Sequence, residues 1–526
     1  MLGLTLALAC SNNGVSLDRA DVDPTSSSAS SSPPKSTSGP ASTARDAVED
    51  DAGDPITLRL GLHGIESFDP VAASPASVPD LVLADLLFDT LTVIDDAGVT
   101  QPGLATYSAN ADLDVWRFDL DPDGAFADGS PITADDVVFS LERVLAGGGA
   151  SLAAVRLDRV ASVTAMDPTT VEIALTEPSA VLPELLASPL YAVTSRAAIE
   201  RAAVGGAPNP TASGSYAADF DGAHRLTLSR RSGRGPATIV VDLFPDENAA
   251  FDAFLDGDLD WTTAPPDRLG EASDLVGSSG LVPFQGGLML AVDAGVTPLD
   301  DPGLRRAVAL AIDRQTVVDE VFGPTAQPAR GVIPAGVPGG GGDDCRGVCG
   351  PARDEASALV DAAFPDGQTQ PIRLLVDDSP SLQDVGTELA RQLERVGLDV
   401  EAVSLPVETY EDLIAAGQQQ LFVFGWLGVA RSPASHLPTL FDSASPDNVA
   451  GFTDPGIDTF LRSASTEPIA SVRAAAWRDI ELAVLDRVPV VPLVQFRTTG
   501  VLDPRVSGFV VRADGSIDLS GVTVAD

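Results

Sequence analysis

The stretch 115–145, VWRFDLDPDGAFADGSPITADDVVFSLERVL, constrains the architecture of this chain more than any other. Trp116, Phe118 and Leu120 alternate with Arg117 and Asp119, the period of a strand with one buried face. Asp123-Gly124 and Asp128-Gly129 are turn dipeptides, so the backbone reverses twice around Phe126. Thr133 stands three residues before Asp136, a capping-box pattern that places a carboxylate at the positive end of a helix dipole. Val137, Val138, Leu141, Val144 and Leu145 come next at helical spacing and predict one apolar face. A hairpin and then a capped helix are therefore expected here.

The C-terminal half predicts an α/β sheet. Residues 372–376 form an apolar strand, and Leu382, Val385, Leu389, Leu393 and Val396 lie at helical spacing up to Gly397. Residues 398–403 make the next strand, which closes a β-α-β unit with a right-handed crossover. Tyr410, Leu413 and Ile414 mark a second helix, and 421–424 a third strand. In open α/β sheets, ligands bind beyond the carboxyl ends of the strands. The residues after Phe424, namely Gly425, Trp426, Leu427, Gly428 and Val429, are thus expected to face a cleft.

At 526 residues the chain has room for two or three compact units. It carries 76 acidic against 32 basic residues, a net charge of −44 that repels nucleic acid and anionic lipid. The acids are spread along the chain as on a solvated surface. Lys35 is the single lysine and sits in a Ser/Pro-rich tract, so there is no phosphate-binding G-x-x-x-x-G-K and no Schiff-base lysine within a folded domain. No internal apolar run reaches the roughly 18 residues of a membrane span.

The N-terminal run MLGLTLALAC ends at Cys10 behind the small residue Ala9, the pattern of a lipidated cysteine after a signal segment at 1–10. Residues 11–54 are Ser/Pro/Thr/Asp-rich and nearly devoid of large apolar side chains, which predicts a disordered tether. Cys345 and Cys349 form a C-x-x-x-C pair in a Gly-rich stretch and are expected to be disulfide-bonded outside the cytoplasm. The competing reading is a metal site with Asp343 and Asp344, although no histidine is near.

The order of motifs resembles the family-5 extracellular solute-binding proteins, the receptors of bacterial ABC importers. Residues 115–140 resemble that family's W-x-F-x-L and, further on, F-x-D-G-x-P-(L/I)-T-A-x-D-V-x-F-S. Phe68-Asp69-Pro70 is similar to its L-D-P, and 93–105 to D-x-x-G-x-x-x-P-x-L-A. Residues 305–318 resemble its R-x-A…A-I-D-R-x-x-(I/V), and Gly425-Trp426 its G-W.

The resemblance implies an α/β, two-lobed periplasmic-binding-protein-like fold (type II, cluster C) with an extra inserted subdomain and two hinge strands. Lobe I would hold 55–286 plus 495–526, with the inserted subdomain at 72–203, and lobe II would hold 287–494. It also implies a monomeric receptor, lipid-anchored at the cell membrane through Cys10, that hands a peptide-like or other small solute to ABC permease and ATPase subunits. The implied ligand-binding residues are Trp426, Gly428, Val429, Arg431 and Phe68, with no cofactor and no metal. Peptide receptors of the family carry G-W-x-x-D, whose Asp pairs with the ligand's α-ammonium. Val429 stands in that place, so the ligand end facing Trp426 is expected to be neutral or anionic. Glu66 or Asp69 could substitute for the absent acid, and Arg431 could meet an anion or form a rim salt bridge.

Enzyme motifs are absent: there is no H-E-x-x-H, no G-x-S-x-G and no G-x-G-x-x-G after a strand. The three histidines, His63, His224 and His436, lie in unrelated segments, and His436 is expected to cap a helix at the surface. A secreted ligand-binding or sensory protein is the alternative reading, and a stand-alone hydrolase the third.

Overall fold

Leu58, Leu60 and Leu62 of the strand Thr57–His63 are wholly buried while Thr57 is exposed, which fixes this strand's position in a core. The computed structural model describes residues 56–148, 151–203, 211–276, 281–342, 345, 347–417 and 419–525. Cys10, the tether at 11–54, Asp343 and Asp344 lie outside the described residues. Thr57–His63 belongs to a six-stranded sheet ordered Gly500–Leu502, Trp261–Thr263, Thr57–His63, Thr238–Phe244, Arg225–Arg230, Tyr216–Phe220. It runs parallel to both of its neighbours, and the outer pairs are antiparallel.

A second six-stranded sheet is ordered Ala326–Pro328, Val490–Arg497, Pro283–Val292, Leu421–Leu427, Ile372–Asp377, Val400–Leu405. Its last three strands are parallel, as the β-α-β reading requires, with the helix Pro380–Glu394 as the crossover. Val385, Leu389 and Leu393 of that helix are fully buried against the sheet. The strand expected to stop at Phe424 continues through Trp426 to Leu427. Gly425 does not end it, because the antiparallel partner Pro283–Val292 offers backbone groups as far as Gly286 opposite Leu427.

The chain passes between the two sheets along the adjacent antiparallel strands Pro283–Val292 and Val490–Arg497. Gly287 allows their close approach: a Cβ there would lie 2.1 Å from the carbonyl oxygen of Val494.

Between the first and second strands of the first sheet's sequence lies the hairpin-and-helix motif. Its four-stranded antiparallel sheet is ordered Ala105–Ala109, Val115–Leu120, Thr170–Leu175, Val160–Asp167. Thr133 caps Ala134–Leu145, and both halves of the capping box with Asp136 are formed. Val137, Leu141 and Val144 are buried, whereas Val138 and Leu145 are only half-buried at the edge of that face. Phe126, between the two turns, is packed in the same core. The helix Val78–Leu87 starts at Ser77, whose side chain accepts from the Asp80 N–H and caps it. Among the described residues no helix is long and apolar enough to cross a membrane.

Candidate functional site

The carboxyl ends of Ile372–Asp377 and Leu421–Leu427 open onto a cavity of about 140 Å³. Its floor is apolar, with Phe422, Phe424 and Trp426 from the strand and Tyr410 and Ile414 from the helix Val407–Ala415. Leu152 and Val155 of the short helix Leu152–Val155, with Arg156 just after it, form the opposite wall. Asp377, Glu411 and Asp447 bring carboxylates to the lining. The Tyr410 hydroxyl is spent on the Val423 carbonyl at 2.5 Å, so this ring serves the wall chiefly as apolar surface. A second cavity, about 330 Å³, shares Val155, Arg156, Pro446 and Asp447 with the first, and is more charged, with Asp158, Arg159, Glu177, Asp442 and Arg462.

Trp426 is the hub of this region. It is 8% exposed, and its indole N–H donates to Nδ1 of His436 at 2.9 Å. The neutral imidazole therefore carries its proton on Nε2. The Cζ of Arg156 lies 4.4 Å from the Trp426 ring centroid, a cation–π contact, and its Nη1 donates to Asp447 at 2.7 Å. Burial holds the Arg156 guanidinium below its usual pKa, opposed by the bond to Asp447. His436 is wholly enclosed, and burial, reinforced by the charge of Arg156, pushes it down to about 3. The expected surface cap is therefore wrong: His436 precedes Leu437–Phe441 but makes no side-chain cap, because its ring is turned inward to the indole.

The expected site residues do not converge. Only Trp426 of the five lines the cavity. Gly428 supports it indirectly: a Cβ there would lie 2.7 Å from the His436 ring, so glycine is what admits the imidazole behind the strand. Val429 is 2% exposed and packs with Phe284, Leu427 and the apolar core of the inserted segment. Arg431 donates to the carbonyls of Ile94 and Asp95 at 2.6 and 3.0 Å, with Asp514 at 3.9 Å, and is neither a cavity residue nor a rim salt bridge. Phe68 stands edge-on to Phe220, centroids 5.0 Å apart, away from the cavity. Asp69, the possible substitute acid, is bound to Arg143 and caps Pro70–Ala72.

The geometric reason is common to Val429 and Arg431. The inserted segment lies over residues 427–432, so the backbone beyond the strand end is covered rather than open. Sequence reasoning missed Arg156 and Asp447, which are 291 residues apart. The only local signal was an arginine ending the apolar run 152–155. Cys345 and Cys349 are joined by a disulfide, Cα to Cα 5.8 Å.

Residues 99–448 match the family model for the bacterial extracellular solute-binding proteins, family 5. The chain is 26% identical over 477 residues to the periplasmic murein peptide-binding protein MppA of Escherichia coli, covering 84% of this chain and 88% of that one. It is 24% identical over 479 residues to the periplasmic oligopeptide-binding protein OppA of the same organism, covering 85% and 88%. The unliganded open form of the murein tripeptide binding protein MppA shares the fold with a TM-score of 0.78 at 22% identity, over 90% of this chain and 98% of that one. The chain has the two-lobed α/β fold of periplasmic binding proteins and belongs to the bacterial extracellular solute-binding proteins of family 5.

Proposed function

We propose that this solute-binding receptor serves an ABC importer, capturing a peptide-like or other small solute between two lobes and delivering it to permease subunits. The observation that carries this reading is the cavity at the strand ends, walled by the second sheet on one side and by 152–156 on the other. A solute there touches both bodies, and contacts made with both at once favour their approach by population shift. Lobe I comprises 55–286 and 495–526, with 72–203 inserted, and lobe II comprises 287–494. The two strands through Gly287 and Val494 serve as the hinge.

Relatives named for peptides support a peptide-like solute. Val429 gives no acid for a free ammonium, and its buried position keeps a ligand from it. What the solute meets beside Trp426 is the buried guanidinium of Arg156, which favours a neutral or anionic group at that end. Cys10 anchors the chain to the membrane through lipid: the native protein partitions into detergent, and Cys10→Ser releases it. Mass spectrometry of solute co-purified from the native host tests the central reading. Wild type should carry a small molecule that Trp426→Ala loses; retention of the same molecule by the variant would overturn the assignment of the cleft.

A further inference from the structure

We infer that Arg156 is the solute's anion-binding residue, and that the group it takes is a carboxylate. Of the five N–H donors of a guanidinium, the pair on Nε and Nη2 forms one fork that matches the two oxygens of a carboxylate. In Arg156 this fork is unspent: Nε and Nη2 are both buried and neither has a hydrogen-bond partner among the described residues. Asp447 occupies only Nη1, from the other side. The Trp426 ring centroid lies 4.4 Å from Cζ and packs against the guanidinium, so Nε and Nη2 are the donors left for recognition.

A buried guanidinium with an empty fork is a costly arrangement for a purely structural ion pair, because the unmet donors have lost water without gaining a partner. The side chain also lines both cavities, so a solute in either one meets it. Carboxylates outnumber guanidiniums in both linings, Asp377, Glu411 and Asp447 against Arg156 in the first and Asp158, Glu177, Asp442 and Asp447 against Arg156, Arg159 and Arg462 in the second, so the open fork rather than net charge is what selects an anion. The fork atoms are covered in this arrangement, so a carboxylate reaches them as the turn after Val155 shifts on Trp426. Anion capture and movement of the inserted segment are then one event. This deepens the proposed function and rests on its claim that solute binds against Trp426.

The test uses the full chain and a pool of N-acetylated tripeptides, each made with a free C-terminal carboxylate and as the C-terminal amide. Titration calorimetry should show the carboxylate forms binding about 10- to 100-fold more tightly than the amides, the range expected of one bidentate charge-assisted pair. Arg156→Gln should abolish that preference. Asp447→Asn breaks the same ion pair but leaves the fork, so it should keep the preference and controls for mere loosening of the turn. Trp426→Ala should weaken both forms. Equal binding of acid and amide to wild type, or a preference that survives Arg156→Gln, would overturn the role of Arg156 while leaving the cleft intact. Binding indifferent to Trp426→Ala would overturn the cleft itself, and failure of every carboxylate probe to bind would count against both.

Discussion

Acidification should lower the stability of this fold through His436. In the folded chain the enclosed imidazole titrates near about 3, against an ordinary 6.5. Its folded pKa lies below its unfolded one, so the neutral form is the one the fold holds. The contribution is complete above about pH 6.5 and is lost progressively as pH falls toward the folded value. At about pH 4.5 the unfolded imidazole has taken up its proton and the folded one has not. Two units of separation at about 1.4 kcal/mol each give a loss of about 3 kcal/mol relative to neutral pH from this residue. His436→Asn places an amide oxygen near the position of Nδ1, where it can accept the Trp426 N–H, and removes the titration. Urea unfolding monitored by tryptophan fluorescence at both pH values gives the comparison. The carboxylates titrate alike in both proteins and cancel in the double difference. The variant should be the less stable at neutral pH, having lost ring packing, yet fall by about 3 kcal/mol less on acidification. Equal losses in both proteins would refute the enclosed, neutral His436.

Val429→Asp buries an unpaired carboxylate in the core beside Phe284 and Leu427; denaturant titration should show a loss of about 3 kcal/mol or more, and calorimetry no gain in affinity for free dipeptides. Asp85 accepts from the Ile517 N–H, and burial with Asp514 and Asp89 nearby raises it to about 7. Its folded pKa is above the unfolded value, so stability is present at low pH and lost as pH rises through about 7. Asp85→Asn should then match wild type near pH 4 and exceed it near pH 8 by at most about 4 kcal/mol, read from urea midpoints. Cys345→Ser opens a loop of sequence separation 4 and should cost about 2 kcal/mol at most, with solute affinity unchanged; alkylation of wild type without reductant should leave both of these cysteines unlabelled.

Local patterns were the legible part of this chain. The capping box at Thr133 and Asp136, and the alternation through Trp116, Phe118 and Leu120, depend on neighbours a few residues away, and both are formed. The crossover helix at Pro380–Glu394 was equally clear, because its apolar face repeats along its length. Trp426 could be placed at a strand end by topology alone. The fate of the residues after it could not, because that depends on the segment that covers them. Apolar packing from the inserted segment took Val429 into a core, and the Ile94 and Asp95 carbonyls took Arg431. Those two carbonyls are 337 and 336 residues from Arg431 in sequence, beyond the reach of any local pattern. Arg156 escaped notice for the same reason: its partners Trp426 and Asp447 come from the far half of the chain.

On the proposed function, solute is held against Trp426, between 152–156 and the end of Leu421–Leu427. A crystal structure of the protein with its co-purified solute tests this most directly. The molecule should contact the Trp426 ring and Arg156, with its oxygen atoms at the Nε/Nη2 edge and both lobes contributing contacts. A solute seated elsewhere, such as beside Phe68 and Phe220, or touching one lobe alone, would contradict it.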